Sequence, residues 1–391
     1  MSTASDAVPA RDRTPLRVLV FIRCLEIGGA ERQLVETVKH LDRDAYACTV
    51  ASLYPGGPFR AELAALPGVE VTDLGKRGRW DWGPALRRAW SLVTTTRPDV
   101  IVGAFDVATH LTGVIGRLRS VPTVWMVGNA FMDFSLYDWL PGMLDRAARG
   151  LSSWPDVVVF NSEAGARHHL ARGFVPRAHL VVPNPFDTAR FAPDAAAGAR
   201  VRAEWGIDAT TPLVGIVARL DPIKDHPTFL EACALVAAED PRARFVCVGD
   251  GDPAHVAPIR QRCTALGLDG CVLFAGARRD MPAVYNALDL DVLCSLGEGL
   301  PNVIGEAMAS GVPCVVTDVG DCARLVGETG LVVPARSPRA LADALLAALR
   351  WTPDARRARG VAARERVIAH YDARTCAARF GATLDQAVGR R

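Results

Sequence analysis

The sequence predicts an α/β chain of two parallel-sheet domains. Three observations predict it: short β-branched apolar runs, longer Ala/Leu/Arg segments of helical period alternating with them, and a length beyond one hydrophobic core. At about 150 residues per domain, 391 residues give two or three domains, and two is the simpler division.

The first half carries candidate strands at Arg17–Ile22, Ala47–Leu53, Val69–Leu74, Val100–Val102, Thr123–Val127, Val157–Phe160 and Leu180–Val182. A second series follows the Pro- and Ala-rich stretch from Pro183 to Ala199: Leu213–Val217, Arg244–Val248, Val272–Ala275, Asp291–Cys294, Pro313–Thr317 and Leu331–Val333. Between them Asn184–Phe191 has the turn chemistry of a linker, stiffened by Pro183 and Pro185. The expected division is a polar, disordered tail over 1–16, a first domain over 17–190, a second over 191–370 and a closing helix over 371–391. Sheets of this kind bind ligands outside the carboxyl ends of their strands, so the site is expected in loops facing an interdomain cleft.

Composition narrows the function. With 45 Lys+Arg against 43 Asp+Glu, no net charge favours nucleic acid as a partner. Only Lys39, Lys76 and Lys224 are lysines, which draws attention to each. The ten cysteines show no zinc-site spacing, and several lie inside apolar runs, as small hydrophobes of a reducing, cytoplasmic compartment do. Residues 1–16 lack the apolar stretch of a signal peptide, and no window approaches the roughly 20 apolar residues that span a bilayer. Any membrane association is expected to be peripheral.

The most informative stretch runs from Glu298 through Gly299, Leu300, Pro301, Asn302 and Val303 to Glu306. Glycines permit a tight turn after a buried strand, Pro301 suits the first helical position, and the amides of the helix start favour an anion such as a diphosphate. Glu306 lies too deep in that helix to cap it. Its paired acceptors suit two vicinal hydroxyls, as on a ribose, and Glu298 could accept from a second sugar. An ordinary capping loop with two solvent-facing glutamates accounts for the same residues. Arg219 ends a strand and Lys224 follows five residues on, before a helix expected at Pro227–Ala238; the pair could neutralise a leaving diphosphate or simply decorate a surface loop. Gly28-Gly29 after the first strand lets a ligand approach the backbone. The full G-x-G-x-x-G is missing, which argues against a nicotinamide site. Asp250-Gly-Asp252 and Asp289-Leu-Asp291 spell D-x-D, but one falls in a turn and the other against a buried strand, so no metal site is expected.

Together these segments resemble the retaining glycosyltransferases of family 4, which have the GT-B fold of two Rossmann-like domains facing a cleft. Glu298 and Glu306 reproduce the family's E-x7-E signature, Gly28-Gly29-Ala30-Glu31 its first loop, and Asn161-Ser162-Glu163, Asp187–Phe191 and Val248–Gly251 further segments. The resemblance implies that Glu306 binds the donor ribose, Glu298 the transferred sugar, and Arg219 with Lys224 the diphosphate. It further implies that the backbone of Gly299 to Val303 holds sugar hydroxyls and phosphate, that Gly29 approaches from the opposite domain, and that backbone near Arg278 and Arg279 reads the base. A closing helix that crosses back to the first domain belongs to the same fold. Two departures stand out. Pro185 replaces a hinge glycine, and the loop after the fourth strand offers both Asp106 and His110 where relatives often place a histidine.

The resemblance implies transfer of a hexose-type sugar, with retention, from a UDP- or GDP-sugar co-substrate to a hydroxyl acceptor such as a lipid-linked glycan. No metal or other cofactor is expected. A sugar-nucleotide epimerase of the same fold and a non-catalytic nucleotide-sugar binding module are the alternatives. Two stretches concern the acceptor. Lys76-Arg77-Gly78-Arg79-Trp80-Asp81-Trp82 with Arg87, Arg88 and Trp90 mixes cations and indoles as an anionic bilayer at the inner membrane face would favour, or as a solvated helix with inward Trp would. Gly128–Leu151, with Phe131, Phe134, Tyr137 and Trp139, either lines an acceptor pocket or covers the core.

Overall fold

The computed structural model describes residues 14–128 and 139–389. The first sheet contains β1 (Leu16–Ile22), β2 (Tyr46–Ser52), β3 (Val69–Asp73), β4 (Val100–Ala104), β5 (Thr123–Val127), β6 (Val157–Phe160) and β7 (His179–Val181), in the order β3-β2-β1-β4-β5-β6-β7. The second contains β8 (Leu213–Val217), β9 (Arg244–Val248), β10 (Val272–Gly276), β11 (Leu290–Leu293), β12 (Cys314–Thr317) and β13 (Leu331–Val333), in the order β10-β9-β8-β11-β12-β13. Every pairing between these strands is parallel. The strands fall within about two residues of the expected runs because a parallel strand is buried on both faces and so reads as a continuous apolar segment. β4 and β8 are buried at every position.

Helices cover both faces. Leu34, Val35 and Val38 of the helix Gly29–His40 join Phe59, Leu63, Phe380 and Leu384 on one side of the first sheet. Ala85, Ala89 and Val93 of Trp82–Thr96 and Ala108, Leu111 and Ile115 of Asp106–Arg119 cover the other. Phe380 and Leu384 belong to the last helix, Ala373–Ala387, which therefore completes the first domain's core after the chain has left the second. Tyr46 fixes it by donating from its hydroxyl to Asp385 at 2.8 Å.

The crossing point is built from the linker. Phe186 donates its N–H to the Tyr371 carbonyl at 3.0 Å and accepts from Ala373 N–H at 2.9 Å, so the two chain crossings between domains are bonded together. Strand order reverses between β1 and β4 and between β8 and β11, and the two crevices created there open toward each other. Residues 1–13 of the expected tail, and Phe131, Phe134 and Tyr137, lie outside the described residues.

Candidate functional site

β8 and β11 are sheet neighbours, and this adjacency joins loops that are 74 positions apart. After β8 the chain enters a short 3-10 turn, Pro222–Lys224, capped by Asp221 through the Ile223 N–H at 3.2 Å. After β11 comes the glycine-flanked loop that carries Glu298. Leu296 donates its N–H to the Ile223 carbonyl at 2.8 Å, tying the two loops. The Lys224 ammonium consequently sits on Glu298 Oε1, which also accepts from the Ser295 hydroxyl at 2.7 Å. Both ionic side chains are mostly shielded, at 19% and 12% exposure, so the pair is stronger than a surface ion pair. Arg219 stands at the same mouth, 75% exposed, with Asp221 as a loose partner at 3.6 Å.

The helix Asn302–Ala309 starts one residue later than expected. Pro301 is its extended N-cap (φ −75°, ψ 117°), and no side chain caps the helix start. Its first amides therefore remain available to an anion. Glu306 lies on the next turn and points inward. It is partly buried, accepts from the Tyr285 hydroxyl at 3.0 Å, and is pushed up to about 7, chiefly by desolvation; Tyr285, Arg32 and Arg190 pull the other way. The solvent-facing alternative does not describe this residue. Beside it a cavity of only about 10 Å³, lined by Arg32, Glu36, Phe186 and Asn302, separates it from the first domain.

The first domain closes on this loop at several points. Asn302 donates from its side-chain nitrogen to the Gly29 carbonyl at 3.1 Å, and its own oxygen accepts from the linker residue Asn184 at 2.6 Å. Gly28 is the N-cap of the helix Gly29–His40, and a Cβ there would lie 2.2 Å from Glu31 Oε2. A Cβ on Gly299 would lie 3.0 Å from the Gly128 carbonyl, so the domains meet too closely for a side chain. Asp106 opens the helix after β4 with φ 41°, following Phe105 at φ 59°, and both sit in the left-handed region. Its carboxyl is open by area yet crowded by surrounding atoms, and that desolvation raises it above its ordinary value against the pull of Arg23 and His110. In His110, one turn further, Nε2 donates to the Leu144 carbonyl at 2.9 Å, the ring lies 6.5 Å from Trp125, and Nδ1 has no hydrogen-bond partner among the described residues. His110 ties two outer helices together.

Arg278 follows β10 with its guanidinium gripped by Glu204 and by Asp280 at 2.7 and 2.9 Å, which leaves backbone as the part able to address a base. Neither D-x-D has two free acids. Asp289 binds Arg202 at 2.7 Å and Arg356 at 2.5 Å, Asp291 is wholly buried in β11, and Asp250 and Asp252 bond the backbone N–H groups of Gly251 and Ala254. Glu36, His40 and Asp187 cluster closely enough to hold a cation, but Lys39 already supplies one, 3.0 Å from Asp187 and 3.6 Å from Glu36. In the Lys76–Trp90 stretch the side chains divide. Lys76 is buried, 4.0 Å from the Trp82 ring and 3.4 Å from Asp81, and Arg88 caps the Leu74 carbonyl, whereas Trp80 and Trp90 are exposed.

Sequence reasoning missed Ser295, Tyr285, Asn184 and Asp321. Ser295 lies only three residues before Glu298 and Asn184 belongs to the linker, but no sequence pattern gave either a role in the site, and Tyr285 and Asp321 reach it through the sheet order or across the cleft.

Comparison with known proteins agrees with this architecture. A family model described as Glycosyltransferase Family 4 matches residues 27–190, and one described as Glycosyl transferases group 1 matches residues 211–350. EpsF of Bacillus subtilis (strain 168) is 35% identical over 317 residues, covering 77% of this chain and 79% of that one. A GDP-mannose-dependent alpha-mannosyltransferase of Mycobacterium tuberculosis (strain CDC 1551 / Oshkosh) is 29% identical over 354 residues, covering 85% and 88%. The crystal structure of Anabaena HepE in complex with UDP and glucose superposes with a TM-score of 0.82 at 23% identity, over 95% of this chain and 99% of that one, which establishes the shared GT-B fold. The chain belongs to glycosyltransferase family 4.

Proposed function

We propose that this chain is a retaining, metal-independent glycosyltransferase that moves a hexose from a UDP- or GDP-sugar to a hydroxyl acceptor. The observation that carries the reading is the Lys224–Glu298 pair set at the uncapped start of the helix Asn302–Ala309. A sugar diphosphate entering there exchanges partners with the pair: Lys224 turns to phosphate and Glu298 accepts sugar hydroxyls. Breaking the sugar–phosphate bond places negative charge on the diphosphate, and Lys224, Arg219 and the helix amides are preorganised to hold it. These cations perform the task otherwise given to a metal. Transfer with retention is the expectation for this site, the acceptor attacking on the face that the diphosphate leaves and a diphosphate oxygen taking the acceptor's proton.

A hydroxyl on a lipid-linked glycan suits the acceptor role. Exposed Trp80 and Trp90 with Arg77 and Arg87 favour peripheral contact with an anionic inner membrane face, and among the described residues no helix is long and apolar enough to cross a bilayer. The test is release of free nucleoside diphosphate from a panel of UDP-, GDP- and ADP-sugars, with and without EDTA. Release from one donor that survives EDTA is expected. Donor binding with no turnover in the presence of any acceptor would favour a binding module, and loss of activity in EDTA would end the metal-independent reading.

A further inference from the structure

We infer that Asp321 is a positioning residue for transfer: it fastens the first domain to the loop that carries Glu298, so that the two halves of the site meet in one register. Its kinetic consequence rests on the transferase reading; the geometry does not.

Asp321 follows β12 and is bonded to the acid loop from below. Its N–H donates to the Gly299 carbonyl at 2.9 Å, and Gly320 before it, at φ +57°, packs so tightly that a Cβ would lie 2.1 Å from the Glu298 carbonyl. The carboxylate then crosses to the other domain. Oδ2 accepts from the N–H of Glu163 and Oδ1 from the N–H of Ala164, both at 2.8 Å. These amides open the helix Glu163–Ala171, whose own cap, Ser162, holds only the next one, Gly165, at 3.0 Å. The second domain thus supplies the part of the N-cap that the first leaves open. Asp321 is also the N-cap residue of its own helix, Cys322–Val326, yet its side chain makes no capping bond there.

The contact is a pair of charge-assisted hydrogen bonds, one to each carboxylate oxygen, only 5% exposed and placed at the positive end of a helix, which is the strong form of such a bond. Of the other contacts across the cleft, the bond from Asn302 to Gly29 is neutral and exposed, and the Arg324–Glu163 ion pair is loose, at 3.5 Å, and open to solvent. Parting the domains strips two amides and a carboxylate of their partners together, so Asp321 biases the chain toward the arrangement in which Gly29 meets Asn302 at the start of the helix that follows Glu298.

The experiment uses the full chain. Asp321→Asn keeps the shape but leaves one acceptor for two amide donors. Glu163→Pro removes one donor from the opposite partner; proline suits the first helical position, and Ser162 already has the extended backbone (φ −154°, ψ 151°) that a following proline requires. Glu163→Ala controls for the lost side chain, which lies 3.5 Å from Arg324. Asp321→Asn and Glu163→Pro are each expected to lower kcat about tenfold or more on the donor the panel identifies, with UDP or GDP affinity by calorimetry changed less than about threefold. The double variant is expected to be no slower than Asp321→Asn alone, and Glu163→Ala to stay near wild type. Hydrogen exchange should quicken over residues 297–301 in Glu163→Pro, although the change lies in the other domain. Unchanged exchange at 297–301 in Glu163→Pro overturns the inference, as does an equal loss of affinity and kcat in Asp321→Asn. If no donor is turned over, the transferase reading fails by itself and the exchange measurement still decides the role of Asp321.

Discussion

Glu306→Gln offers the sharpest test of the donor site, because its effect on stability has a sign that depends on pH. Glu306 is raised from an ordinary 4.5 to about 7 by burial, against the pull of the Tyr285 hydroxyl that donates to it. A carboxyl held above its unfolded value binds its proton more tightly in the native state. Its contribution to stability is therefore complete below about pH 4.5 and is lost as pH rises through about 7. A gap of about 2.5 at about 1.4 kcal/mol for each pKa unit sets an upper bound near 3.4 kcal/mol. Because Glu306 is not fully shielded from solvent, about 1–3 kcal/mol is the working range. Glutamine resembles the protonated acid and keeps an acceptor for Tyr285. The variant should match wild type in urea unfolding near pH 4.5 and exceed it by about 1–3 kcal/mol at pH 8. The same change should weaken binding of the donor nucleotide sugar, since a neutral amide is a poorer acceptor for paired hydroxyls, and it should flatten the rise in donor affinity expected between pH 6 and 8 for wild type. A stability difference that is the same at both pH values would refute the burial argument. Wild-type donor affinity in the variant would remove Glu306 from the site.

Further expectations follow from the same geometry. Lys224→Ala should depress kcat by about 10²-fold or more while donor affinity changes less, because the ammonium is needed most when the diphosphate leaves; equal losses in steady-state and binding measurements would contradict that role. His110→Ala should leave turnover within a few-fold and lower Tm by a few degrees through the lost tie to Leu144, whereas Asp106→Asn should impair turnover; the opposite ranking in paired kinetics and melting scans would return His110 to the site. Trp80→Ser with Trp90→Ser should reduce co-sedimentation with anionic phosphatidylserine vesicles and leave soluble-donor hydrolysis intact, and undiminished sedimentation would discard the membrane surface.

What the sequence made legible is what lies close along it. Glu298 and Glu306 belong to one loop and the helix it opens, so their spacing alone carries them to the same place. The strands were legible for a similar reason, each being a local apolar run between turns. Helix starts were less so: Pro301 reads as a first helical residue but serves as the N-cap, since its extended ψ of 117° is what lets Leu300 remain against the second domain's core.

The partnerships that complete the site are of another kind, because they depend on which strands are neighbours and on how the domains close. Nothing near Lys224 announces Glu298; the two meet because β11 inserts beside β8 and brings the loops after both strands to one edge of the sheet. Nothing near Asp321 announces Glu163, because the bond exists only when two separately folded sheets approach. Even the apparent misfit of Pro185 resolves at this level. The neighbouring Asn184 donates from one side-chain nitrogen to Leu300 at 3.0 Å and to Asn302 at 2.6 Å, and Phe186 bonds the returning chain at Tyr371 and Ala373, so the linker is anchored on both sides of the proline. A rigid residue between two anchors confines bending to the segments beyond them. In this arrangement the two domains are held by the contacts across the cleft, among which the carboxylate of Asp321 pairs with two backbone amides at once.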